Sequence, residues 1–150
     1  MKHLLYTLAL LAMLTSCTIE GSDNGDLDGF WHLEQVDTLS TGGTADMREK
    51  RVFWGIQYKL ISVRDIDIDG AHGYYLRFAQ TADSLHTFEP YKDNWHEDSG
   101  PNGGDLPVSD ATQLAPYGIN NIEEAFAKEA LDGKRMTLKS KTLRLYFKRF

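Results

Sequence analysis

The stretch RVFWGIQYKLISVRD, residues 51–65, constrains the fold more than any other. Val52, Trp54, Ile56, Tyr58 and Leu60 alternate with Phe53, Gly55, Gln57 and Lys59. A period of two marks a strand with one buried face, whereas a helix would space its apolar residues by three and four. The apolar phase then slips to Ile61 and Val63. Such a slip turns the buried face outward unless a bulge absorbs it, so the pattern predicts a bend near Leu60. A second bend is expected at Gly55, where no side chain obstructs one. Bends suit a closed barrel better than a flat sheet.

Other segments repeat the pattern. Trp31 and Leu33 point one way in DGFWHLEQV, and Phe30, His32 and Glu34 the other. Tyr74, Leu76 and Phe78 share a face, as do Met136 and Leu138, and Leu143, Leu145 and Phe147; LHTFEPY is a further strand. Asp69-Gly70 is a hairpin signal. NIEEAFAKEAL favours helix by its alanines and glutamates, which predicts a short helical start near Asn121 and a strand towards Leu131. About eight short strands with hairpin-length turns make an all-β chain, a sandwich or an up-and-down antiparallel barrel. Eight strands enclose an interior filled by side chains or holding one small ligand. One long loop, Lys92 to Asn120, breaks the rhythm, and loops of that length are functional or disordered. Trp95, Leu114 and Tyr117 give it apolar anchors, so part of it is expected to pack as a lid or a turn of helix.

The beginning of the chain reads as an address. Lys2 and His3 precede the apolar run Leu4–Leu14, which has signal-peptide length and is too short for a stable membrane span. It ends in Leu14-Thr15-Ser16-Cys17, which resembles a bacterial lipobox. The expected organisation is a removed signal peptide over 1–16, a flexible tether over 17–28 and a barrel domain over 29–150. Two or more acyl chains on Cys17 would anchor the protein to the membrane without spanning it. The acidic TIEGSDNGD after the cysteine resembles surface-export signals of Bacteroidetes lipoproteins, so the expected location is the cell envelope, on the outer membrane and displayed at its surface. Cys17 is the single cysteine. Lipidation leaves no thiol for disulfides, thiol catalysis or zinc. Residues 17–150 carry 15 basic and 22 acidic residues, a net of −7, which argues against a nucleic-acid partner. Residues 134–150 hold seven of the cations and no acid; they read as solvated strand faces or as a contact for an acidic partner or membrane headgroups.

Gly29-Phe30-Trp31 resembles the lipocalin signature at the head of a first strand. The resemblance implies that Trp31 closes one end of the barrel and that an arginine from the last strand lies over its ring. Arg144 and Arg149 are the candidates, with Arg149 favoured because it sits near the chain end. A stacked guanidinium would add roughly 0.5–2 kcal/mol as a cation–π contact. The pieces LDGFWHLEQV, RVFWGIQYKLISVRD, GYYLRFAQTADSL, LAPYGI and MTLKSKTLRLYFKRF, in that order, resemble small lipocalin-like lipoproteins of Bacteroidetes. That resemblance implies a lipid-anchored, lipocalin-like β-barrel and no agreed activity. The chain departs from secreted lipocalins in being short and without disulfides, so a ligand cavity does not carry over.

Candidate chemistry is sparse. DIDIDG, residues 65–70, resembles the start of a calcium loop, but its twelfth position is Leu76 where a bidentate glutamate is needed. Alternation instead places its three aspartates on one strand face, with Ile66 and Ile68 on the other. WHED, residues 95–98, sets an imidazole beside two carboxylates; an exposed polar loop explains it without a metal. No nucleophile elbow, zinc motif or phosphate loop is present, and no cofactor is implied. Trp54, Tyr58, Tyr74 and Phe78 either line an apolar pocket or fill it, with Trp95 and Tyr117 over it from the loop. The leading expectation is a non-enzymatic envelope lipoprotein that binds a small apolar or amphipathic ligand at the barrel mouth. The alternatives are an interaction module docking an envelope partner through its outer face, around Lys139, Lys141 and Arg144, and a hydrolase or isomerase using cavity carboxylates or His86.

Overall fold

The segments with alternating apolar residues in 29–38, 52–65, 74–80 and 135–149 become strands, and the strands close on themselves. The computed structural model describes residues 21–94 and 104–150. Among the described residues ten strands are formed: β1 (Gly29–Thr38), β2 (Gly43–Asp46), β3 (Val52–Gln57), β4 (Leu60–Asp65), β5 (Tyr74–Gln80), β6 (Ser84–Lys92), β7 (Leu106–Pro107), β8 (Glu124–Leu131), β9 (Arg135–Lys139) and β10 (Leu143–Arg149). Neighbours run β1, β3, β4, β5, β6, β8, β9 and β10, and β10 returns to pair with β1. The result is a closed eight-stranded antiparallel barrel with two short additions. β2 extends the ladder along the second half of β1, and β7 adds to the end of β6. Closure leaves the eight strands without a free edge.

Inward positions hold the core. Trp31, Leu33, Trp54, Ile61, Val63, Leu76, Leu85, Met136, Leu138 and Leu145 have no exposed surface. The ring of Trp54 meets Phe126 edge-on at 5.9 Å and Phe147 at 5.1 Å. Large side chains from opposite walls therefore meet inside the barrel.

Several sequence expectations are corrected. The bend near Leu60 is a full reversal: β3 ends at Gln57, Tyr58 takes φ +54°, and β4 begins at Leu60. The phase slip arises because a two-residue turn restarts the inward set on Ile61, opposite Ile56. Gly55 does not bend the strand; it stays in register between Phe30 and Ser62. DIDIDG is a strand end only at Asp65, the last residue of β4. Ile66–Asp69 is a single helical turn, α1, capped by the Asp65 carboxylate, which accepts from the Asp67 N–H at 3.0 Å. Aspartate captures nearby amides in this way, and the local bonds outcompete strand pairing. No helix begins at Asn121. The amides of Asn120 and Asn121 donate to the buried Glu124 carboxylate at 2.6 and 2.9 Å, and the chain enters β8 directly. Pairing to β6 and β9 overrides the helical propensity of that alanine-rich run. Just before β1, a 3-10 turn at Gly25–Leu27 buries Leu27 completely.

Candidate functional site

The end of the barrel where β1 begins is sealed by residues of the sheet itself. Trp31 faces Arg149 on β10 and Trp54 on β3. Its indole N–H donates to the Leu27 carbonyl at 2.9 Å, and the Arg149 guanidinium carbon lies 5.1 Å from its ring centre. Arg149 also donates to the carbonyls of Asp28 and Gly133, the latter at 3.2 Å. Gly29 has φ +141°, and a Cβ there would stand 2.8 Å from two guanidinium nitrogens. The glycine therefore serves both the backbone turn and the close approach of the arginine. Arg144 takes no part; it pairs with Glu129 at 2.6 Å on the outer wall.

The opposite end, the mouth, is plugged by the segment between β7 and β8. Two 3-10 turns, Ala111–Gln113 and Ala115–Tyr117, carry Leu114, Tyr117 and Ile119 into the core. Asp110 caps the first turn, accepting from the Thr112 N–H at 2.9 Å. Trp54 donates its indole N–H to the Tyr117 carbonyl at 3.0 Å, and the Tyr117 hydroxyl donates to Asp69 at 2.6 Å. Burial and that carboxylate push the Tyr117 hydroxyl pKa well above its ordinary value. Gly118 takes φ +84° and presses on Leu145, where a Cβ would come within 2.7 Å of a methyl carbon.

The residues expected to line a pocket therefore separate. Trp54, Phe78 and Tyr117 are buried packing residues, and Tyr74 packs against them with its ring 5.5 Å from that of Tyr117. Tyr58 lies outside the barrel at the β3–β4 turn and is half exposed. Trp95 and the rest of WHED fall outside the described residues. His86 is on the outer wall, 3.9 Å from Glu123. The buried carboxylates do structural work, Glu124 on two amides and Asp65 on α1. Among the described residues no cluster of His, Cys, Asp and Glu could hold a metal ion. On the basic C-terminal strands, Lys139 and Arg144 both face Glu129, whose carboxyl pKa is lowered mainly by the bond from Arg144.

Concave surface lies instead on the outer wall. A groove of about 620 Å³ crosses β1, β3, β4 and β5. Its floor is Gly55, and Phe30, Tyr58, Leu60 and Tyr75 provide much of its apolar wall. Phe30 is held by parallel stacking on Phe53, ring centres 4.6 Å apart. A smaller hollow of about 430 Å³ shares Leu60 and Tyr75 and continues towards Arg77 and Tyr91. Sequence reasoning missed the groove. The signal available was the glycine at an outward strand position, where a neighbouring surface approaches closely.

A closed eight-stranded barrel, with an N-terminal 3-10 turn and a tryptophan–arginine stack at its base, defines a small lipocalin-like β-barrel protein. Residues 12–150 match the model of a family described as the lipocalin-like domain, and the chain belongs to that family. Two solved structures are similar to it. A lipocalin-like protein from Bacteroides uniformis is 18% identical, with 84% of this chain and 100% of that chain covered and a TM-score of 0.57. An uncharacterized protein from Bacteroides eggerthii is 19% identical, with 82% and 98% covered and a TM-score of 0.56. At those identities the likeness concerns the fold. No curated protein matches the chain.

Proposed function

We propose that this protein is a lipid-anchored envelope protein that binds a small apolar or amphipathic ligand, and that it does so in the outer groove. One contrast carries the reading. Large side chains meet inside the barrel and both ends are stoppered, so a ligand entering at the mouth must displace Leu114, Tyr117 and Ile119. The outer groove needs no such displacement, and its volume falls within the 300–1,000 Å³ typical of small-molecule sites. An apolar hollow rimmed by a few polar groups suits a ligand with a tail and a head.

The anchor follows from the Leu-Thr-Ser-Cys17 sequence and bears on the ligand. Only Thr18, Ile19 and Glu20 separate Cys17 from Gly21, a span of roughly 14 Å at full extension. Ser22 accepts from the Tyr58 N–H at 2.8 Å, so the tether joins the barrel beside the groove. A lipid on Cys17 would hold that opening within reach of the membrane, where amphiphiles concentrate.

Two experiments test the reading. Cys17→Ala should move the protein from the membrane fraction to the soluble one; retention in the membrane would reject the anchor. Anilinonaphthalene sulfonate should bind the chain from Cys17 onward carrying Cys17→Ser. Gly55→Val should then reduce that binding at least fivefold, because the new side chain rises from the groove floor. The strand tolerates valine if Ser62 rotates its hydroxyl away, and the thermal transition verifies folding. Unchanged binding in Gly55→Val, with altered binding in a plug variant such as Leu114→Ala, would return the site to the mouth.

A further inference from the structure

We infer that the groove selects single-chain amphiphiles with an anionic head, and that Arg64 is the residue that recognises the head. This rests on the outer groove being the ligand site. The polar groups of the groove are unequal in what they have left to offer. Asp28, at the β1 end, is already occupied. Its carboxylate accepts from the Ser22 hydroxyl at 2.7 Å, the Asn24 amide at 2.7 Å and the Asn24 N–H at 3.3 Å. Its backbone carbonyl takes Arg149. At that end the carboxylate is screened by its own partners, and Gln57 contributes an uncharged amide rather than a cation.

Arg64 is different. It lines the groove with Ser62 and Tyr75. Its guanidinium donates to the Ala71 carbonyl at 3.2 Å and meets no carboxylate within ion-pair distance among the described residues. The acids nearest Tyr75 are committed elsewhere: Asp93 to His72 at 3.0 Å, and Asp105 to the Asn94 N–H at 3.2 Å. A guanidinium has five donors in a fixed fork that matches a carboxylate. Here one donor goes to Ala71, and the side chain lines an apolar trough.

The trough sets the rest of the ligand. Between Arg64 and the Tyr58 turn, the surface is Gly55 flanked by Phe30, Leu60 and Tyr75. An alkyl chain lying over Gly55 buries methylene groups against aromatic and aliphatic walls at about 0.8 kcal/mol each when fully covered. Its head then reaches Arg64 and the Ser62 hydroxyl. The predicted ligand class is a long-chain carboxylate of fatty-acid type, bound head towards Arg64 and tail towards the Tyr58 turn.

Titration calorimetry with dodecanoate and with dodecanol decides the matter, using the chain from Cys17 onward with Cys17→Ser. Dodecanoate should bind at least about tenfold more tightly than the uncharged alcohol, the scale expected for a charge-assisted pair. Arg64→Gln should weaken dodecanoate by about the same factor and leave dodecanol unchanged. The melting curve shows whether the variant is folded, and the wild-type comparison of the two ligands needs no variant. Equal affinity for acid and alcohol would overturn the head assignment while leaving the groove as a ligand site. Binding of neither would overturn the assignment and the groove together. Dodecanoate binding altered by Leu114→Ala but untouched by Arg64→Gln would place the acid at the mouth and overturn both.

Discussion

The two ends of the barrel solve the same problem in different ways. Trp31 and Trp54 are register partners on adjacent strands. Each sends its indole N–H out of the sheet to a carbonyl on a 3-10 segment. For Trp31 the acceptor, Leu27, is four residues away; for Trp54 it is Tyr117, 63 residues away. The base is thus sealed by residues contiguous with β1 and clamped by Arg149 from the neighbouring strand. The mouth is sealed by a separate excursion that must return across a long loop, at a higher entropic cost. A local seal forms with the sheet, whereas a distant one can detach from it. The base should therefore open only with global unfolding, and the plug at a lower free energy.

The sharpest break in that comparison is Trp31→Ala. Removing a fully buried tryptophan leaves a cavity and strips Arg149 of its ring, so denaturant titration should show a loss of about 3–5 kcal/mol. A loss below about 1 kcal/mol would show that the base does not depend on its tryptophan. Leu114→Ala should cost less globally, about 2 kcal/mol, because a separable plug loses part of its packing before the barrel does. Its diagnostic is hydrogen exchange. The Trp54 indole N–H should exchange faster in the variant while that of Trp31 keeps its wild-type rate. Equal acceleration at both would mean that the two ends form one cooperative unit.

Gly118→Ala should come next, at about 1–3 kcal/mol. Alanine must accept φ +84° and push Leu145 aside. A smaller change would mean that the plug shifts freely on the barrel, which would weaken the picture of a fitted stopper.

These residues were unequally legible in the sequence. Period-two alternation located Trp31, Leu33, Leu76, Leu138 and Leu145, because burial on one sheet face writes itself directly into residue order. It misplaced Tyr58, which continues the inward phase of β3 by count yet sits in the turn. No glycine or asparagine marks that turn, so its chemistry was silent. Asp65–Asp69 misled for the opposite reason: strict alternation was present, but aspartate capping bonds prevailed over it. The plug was visible only as apolar anchors in a long loop. Its contacts, Tyr117 to Asp69 and to Trp54, join distant positions and leave no local pattern. The outer groove was hidden more deeply still. It assembles outward residues of four strands, and outward residues are what a core-seeking reading sets aside.

The smallest effect tests the latch of the plug and carries a pH signature. Tyr117→Phe keeps the ring and removes the donor to Asp69, at a cost of about 0.5–1.5 kcal/mol at neutral pH. In the wild-type protein the folded-state pKa of this hydroxyl lies above the ordinary tyrosine value of about 10, through burial first and Asp69 second. The sign follows from linkage: above about pH 10 the unfolded chain loses the proton and the folded one keeps it, so stability falls as pH rises. The contribution is fully present below that pH and is withdrawn above it. Stability measured from pH 8 to 11 should thus decline more steeply in the wild type than in Tyr117→Phe. The Trp54 indole should lose protection over the same range, with Trp31 following only at global unfolding. Parallel pH profiles for the two proteins would show that the alkaline loss comes from other groups and that the hydroxyl does not hold the plug.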